Sequence, residues 1–197
     1  MRKIELIWRE VLTSALEEKQ TVFSQKALAA KFGLSTSTVF HGLKKPREVG
    51  AVKVGGRFFE LCDFEKLLFL WATERDLPKE IIYQTSSGLP VMEIEGLMPP
   101  VVIPTAYTAY RFLFGEASAD YAKVYFYAAD LISLKERFPE SRGEPNIFIL
   151  KTDSFLQTYR LTPPLPQIFV DLWNLPDWYA KEYQEALWQK MLVKLGR

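Results

Sequence analysis

Few residues in this chain have the type and spacing that chemistry needs. Glu93-Ile-Glu95 alternates acid, apolar, acid. On a strand, period-two spacing puts both carboxylates on one face, where they would hold Mg²⁺ for an in-line transfer. Ser86-Ser-Gly88 lies just upstream, but the interval is short and the Ser–Gly order is the reverse of a phosphate-holding Gly–Ser. A solvent-facing strand accounts for the acidic pair without a metal. His41 is the only histidine and Cys62 the only cysteine. They leave no triad, no zinc ligand set and no intrachain disulfide. Cys62 reads as a small buried apolar residue at the end of a strand. No Gly-rich phosphate loop is present. The expectation is a non-enzyme with no catalytic residues, no metal and no cofactor.

What remains is a cluster of cations and hydroxyls near the N-terminus. Net charge is only +1, but it is unevenly spread. Between Ser24 and Phe58 stand seven basic residues (Lys26, Lys31, Lys44, Lys45, Arg47, Lys53, Arg57) and one acid, Glu48. From Ile81 onward there are 11 basic and 13 acidic residues. The asymmetry places a polyanionic partner at the N-terminal part. No stretch approaches the apolar length of a membrane span, and the first ten residues read as an amphipathic helix rather than a leader. A single cysteine fits a reducing compartment. A cytoplasmic protein with no membrane partner is expected.

The elements that must position the cluster follow from periodicity and caps. Ile4, Ile7, Trp8, Val11, Leu12, Ala15 and Leu16 repeat at three and four, predicting a helix from about Arg2 to Glu18. Ser24 caps a second helix, with Ala27, Leu28, Ala30 and Phe32 as its core face, and Gly33 stops it. Ser35 caps a third helix to about Lys45, where Pro46 forbids simple continuation. Ala51 to Cys62 reads as a hairpin turning at Gly55-Gly56. Asp63 caps a fourth helix, Phe64 to about Arg75. Leu77 to Gly88 reads as a connection.

The second half is mixed. Pro99 onward is extended, Thr105 to Phe114 helical, and Tyr121 to Ala129 a strand. Asp130 caps a short helix to Phe138. Asn146 to Lys151 is a strand, and Thr158 to Leu161 reads as another. Helices follow through Trp173 and, capped by Asp177, to about Leu195. The aromatic tail (Trp173, Trp178, Tyr179, Tyr183, Trp188) reads mostly as core, with some residues held for a partner.

The segment from Ser24 to Leu43 resembles the helix-turn-helix of many bacterial and archaeal regulators, with a wing at Ala51 to Cys62. Ala27 and Ala30 would let two helices approach, and Leu28, Leu34, Val39 and Leu43 would close a small core. In such units the second helix lies in the major groove. Ser24, Gln25, Ser35, Thr36, Ser37, His41, Lys44 and Lys45 are the expected DNA contacts, with Lys53 and Arg57 on the wing. Thr36 and His41 face base edges, and the cations face phosphates. Phe40 lies on the same face or in the core.

Pro100 to Gly115, Lys123-Val-Tyr-Phe-Tyr, Asn146-Ile-Phe-Ile-Leu and Pro163 to Pro176 follow this unit. Together they resemble the AbiEi-type antitoxins. The resemblance implies a transcriptional regulator of a type IV toxin–antitoxin system, with double-stranded DNA, a cognate toxin and a second copy of the chain as partners. It implies an α+β fold. Residues 1–80 would form a winged helix-turn-helix, and residues 81–197 a nucleotidyltransferase-like α/β domain. That domain is expected to be non-catalytic, because Ile103-Pro-Thr-Ala lacks Gly–Ser and the strand after it carries no acid. Two alternatives stay open: a nucleotidyltransferase with a winged-helix substrate-binding domain, and a winged-helix protein-interaction module without DNA binding.

Overall fold

The computed structural model describes every residue except Arg160. The N-terminal elements are α1 (Lys3–Glu17), β1 (Val22–Ser24), α2 (Gln25–Phe32), α3 (Thr36–Gly42), α4 (Lys44–Glu48), β2 (Val52–Val54), β3 (Phe58–Leu61) and α5 (Phe64–Glu74). Their sheet is antiparallel with β3 in the middle, in the order β1-β3-β2. The Phe23 and Phe59 rings, opposite each other in register, stack at 5.4 Å.

The remaining elements are β4 (Ile81–Thr85), α6 (Val91–Leu97), β5 (Ile103–Thr105), α7 (Ala106–Phe114), β6 (Val124–Ala128), α8 (Ile132–Arg137), β7 (Ile147–Lys151), α9 (Leu165–Trp173) and α10 (Ala180–Leu195). The second sheet has the order β4-β7-β6-β5; β6 and β7 are parallel and the outer pairs antiparallel. All five residues of β6 are buried, as a strand covered on both faces requires. Tyr125 and Tyr127 join the core shared with α7 and α9. Val124, Phe126 and Ala128 join a separate cluster with Ile94 of α6 and Leu134 of α8. The fold is α+β, with helices on both faces of this sheet.

The larger core runs from α1 and α5 into α7, α9 and α10, across residue 80. Within it lies a buried ionic cluster. Arg75 donates to Asp171 at 2.8 Å, to Glu5 at 2.9 Å and to the Tyr127 hydroxyl at 2.8 Å. Asp171 also accepts from Thr105 and Tyr127, and Glu5 from the Trp71 indole. Burial pushes the Asp171 carboxyl above its usual range despite these donors. For Glu5 burial pushes the same way, but Arg75, Arg2 and Trp71 outweigh it, and its carboxyl is held below the usual range.

Several sequence expectations change. Leu77 to Gly88 is not a bare connection: it contains a 3₁₀ turn and the edge strand β4. Thr158 to Leu161 does not start as a strand; Leu156–Tyr159 is a 3₁₀ turn, and Arg160 lies outside the described residues. The core face of α2 is Leu28, Ala29 and Phe32, so Ala27 and Ala30 are exposed. Asp177 caps nothing, because its carboxylate takes Lys123 at 2.8 Å and the Tyr107 hydroxyl at 3.2 Å. Cys62 is exposed, one residue past the end of β3. In the tail, Tyr179 and Tyr183 are core, whereas Trp178 is 74% exposed.

Candidate nucleic-acid interface

The third helix is shorter than its pattern predicts. It closes at Gly42, and Leu43 leads into the separate turn α4, which carries Pro46 in its first turn, where an N–H is dispensable. Three local features set α3. Ser35 accepts from the Thr38 N–H at 3.0 Å as its N-cap. Gly33, at φ 61°, ends α2 in the left-handed conformation that glycine adopts freely. Val39, Gly42, Leu43 and Pro46 are buried, at spacings of three, one and three. The Trp8 indole donates to the Gly42 carbonyl at 2.8 Å. A side chain at Gly42 would meet Ile7 Cδ1 at 3.0 Å, so glycine lets α3 lie close on α1.

The opposite face of α3 is open. Thr36, Ser37, Phe40 and His41 are all exposed and lie at i, i+1, i+4 and i+5, and the exposed Lys44 follows as the first residue of α4. Thr36 and Ser37 have no side-chain partner among the described residues, which leaves their hydroxyls free to donate or accept. Phe40 is 46% exposed; the Arg47 guanidinium lies 5.9 Å from its ring centre and the His41 ring meets it edge-on at 6.1 Å.

A second group gathers at the β2–β3 turn. Gly55 donates to the Phe58 carbonyl at 2.9 Å, closing the turn over Gly56 and Arg57. Gln25 reaches it from the start of α2, its backbone N–H to Arg57 and its side chain to Gly56. Ser24 pairs with Phe58 in the sheet and accepts from the Ala27 N–H as the cap of α2. Ser24, Gln25 and Arg57 are thereby brought together, with Lys53 on the neighbouring strand opposite Glu60. Among the described residues, no hydrogen bond joins this group to the face of α3.

The cations differ in freedom. Lys26, Lys44, Arg47, Lys53 and Arg57 have no carboxylate within 4.0 Å among the described residues. Lys45 is tied to Glu74 and Lys31 to Glu10. The sequence alone does not separate these two from the free ones, because their partners lie far off in the chain, on α5 and α1.

The acidic pair changes character. Glu93-Ile-Glu95 lies on α6, not on a strand. Two residues apart on a helix face nearly opposite ways. Glu93 is exposed, and Glu95 is buried against Arg111 and the Tyr121 hydroxyl. The two carboxylates cannot share an ion. Among the described residues, no three His, Cys, Asp or Glu side chains form a metal-holding group. The strand-to-helix junction where a phosphate grip would sit is Thr105–Ala106. Ala106 is fully buried at φ 50°, and Thr105 is spent on Asp171. Nor is any helix long and apolar enough to cross a membrane, among the described residues.

Comparison with family models, with curated proteins and with solved structures finds no match for the chain.

Proposed function

We propose that this chain is a DNA-binding transcriptional regulator built on an N-terminal winged helix-turn-helix. The observation that carries the reading is the outward face of α3. Free hydroxyls at Thr36 and Ser37 and the His41 imidazole line one side of a short helix anchored on its other side by Trp8 and Gly42, and the unpaired Lys44 follows at the start of α4. A helix of this kind fits the major groove, with its N-terminal half toward base edges. The β2–β3 turn acts as the wing, where Arg57 and Lys53 meet phosphates or the minor groove. Ser24 and Gln25 sit beside it, and Ser35 serves α3 as its cap.

Residues 81–197 act, on this reading, as a non-catalytic nucleotidyltransferase-like part of an antitoxin. Burial of Thr105 and the separation of Glu93 from Glu95 support the absence of catalysis. A cognate toxin or a second copy of the chain is the partner; the exposed Trp178 favours a protein surface there.

Selection of duplexes from a random DNA pool, at low and physiological salt, tests the proposal. An enriched motif whose binding falls steeply with salt is expected. Absence of duplex binding even at low salt overturns it.

A further inference from the structure

Phe40 has no place in the core. The buried side of α3 is filled by Val39, Gly42 and Leu43, and the space around Gly42 is already occupied by Ile4 and Ile7 of α1. The ring stands outward beside Ser37 and His41, one helical turn beyond Thr36 and before Lys44 at the start of α4. Two residues neighbour it: the Arg47 guanidinium lies 5.9 Å from its centre, and the His41 ring lies 6.1 Å away, nearly perpendicular to it. Neither of those residues pairs with a carboxylate among the described residues, and both are exposed, as the ring is. A phenyl ring has only two side-chain torsions to immobilise, which keeps the entropic cost of contact low.

We infer that Phe40 reads the C5-methyl group of a pyrimidine in the major groove. This rests on the proposal that α3 is the reading helix. The C5-methyl of thymine is the apolar feature of a base-pair edge on that side, and phenylalanine is among the side chains that pack against it. A 5-methylcytosine presents the same methyl at the same place. Arg47, beside the ring and with no carboxylate partner among the described residues, is placed to take the flanking phosphate. Burying one methyl group is worth roughly fourfold in Kd.

Competition between two random duplex pools, one made with thymine and one with deoxyuridine, tests the assignment on the full chain. Single replacements in the enriched motif then locate the effect. The wild-type protein is expected to prefer thymine roughly fourfold at one position, Phe40→Ala to bind both alike, and Phe40→Leu to keep part of the preference. If the methyl belongs to 5-methylcytosine, methylating one cytosine of the motif raises wild-type affinity and leaves Phe40→Ala unmoved. Equal thermal unfolding of the variants establishes that the exposed ring is not needed for folding. Duplex binding that ignores every methyl, or a preference that survives Phe40→Ala, overturns the assignment and leaves DNA binding standing. Failure to bind any duplex removes the proposed function itself.

Discussion

The Trp8 indole nitrogen lies 2.8 Å from the Gly42 carbonyl oxygen, tying the middle of α1 to the last residue of α3. Both residues are buried, so this is the contact that sets the height of α3 above the body of the protein. Trp8→Phe keeps a ring in place and removes the donor. It leaves a buried carbonyl short of a partner, at a cost of about 1–3 kcal/mol. Urea denaturation reads the loss, and duplex affinity should fall with it because α3 is no longer pinned. Wild-type stability in Trp8→Phe would show that the bond contributes nothing.

The Arg75–Asp171 pair makes a sharper prediction. Both side chains are essentially fully buried. Removing Asp171 leaves the Arg75, Thr105 and Tyr127 donors short of a buried acceptor, at about 1–3 kcal/mol for each unsatisfied group. Asp171→Ala should therefore unfold at much lower denaturant, because Arg75 then keeps only Glu5 and Tyr127. The double variant Arg75→Met with Asp171→Leu removes both charges of the pair, leaves Glu5 to Arg2 and Trp71, and should cost less than the sum of its two single variants. A double-mutant cycle measures the coupling. Additive losses would mean the two groups do not act as a pair.

What could be read ahead of the structure is what acts over short range. The caps at Ser24, Ser35 and Asp63 all accept from the N–H three residues on, and each was legible as a hydroxyl or carboxylate before a periodic run. Gly33 takes the left-handed conformation at the end of α2, as a helix-stopping glycine does. The failures involve partners distant in sequence. Strand β4 exists because β7, more than 60 residues later, pairs with it. Glu93-Ile-Glu95 reads as a solvent-facing strand in the sequence, whereas it lies on α6 with Glu95 buried against Arg111 and Tyr121. Lys45 looked free until α5 brought Glu74 to it. The cluster of Glu5, Arg75 and Asp171 joins three distant segments of the chain, and no local pattern marks it.

The free and tied cations on the proposed DNA face should behave differently. Lys44→Ala and Arg57→Ala each remove an unpaired charge, so each should weaken binding on all sequences alike and reduce the salt slope by about one. Lys45→Ala should do less, since Glu74 already neutralises that ammonium. Substitutions at Thr36 or His41 should instead change which sequences are enriched. Salt titrations of affinity on two unrelated duplexes decide the matter. Equal effects from all five changes would mean α3 is not the reading helix.

The tyrosine cluster beside α10 predicts how the fold fails in alkali. Tyr107 packs against Tyr121, Tyr125, Tyr179 and Tyr183 at ring distances of 4.9–6.1 Å. Burial pushes the Tyr183 phenol up to about 12 from an ordinary 10.0, and its hydroxyl donates to the Ala119 carbonyl. Tyr107, Tyr121 and Tyr125 are raised as well, again chiefly by burial. A phenol raised on folding holds its proton longer in the folded chain than in the unfolded one. Its contribution is therefore fully present below pH 10.0 and is lost as pH rises through about 12. Unfolding free energy should fall across that window, and tyrosinate absorbance should grow together with loss of structure rather than before it. Tyr183→Phe keeps the ring and deletes one of these titrations, so its stability should decline less steeply there. A Tyr183→Phe profile parallel to wild type would place the alkaline transition elsewhere in the molecule.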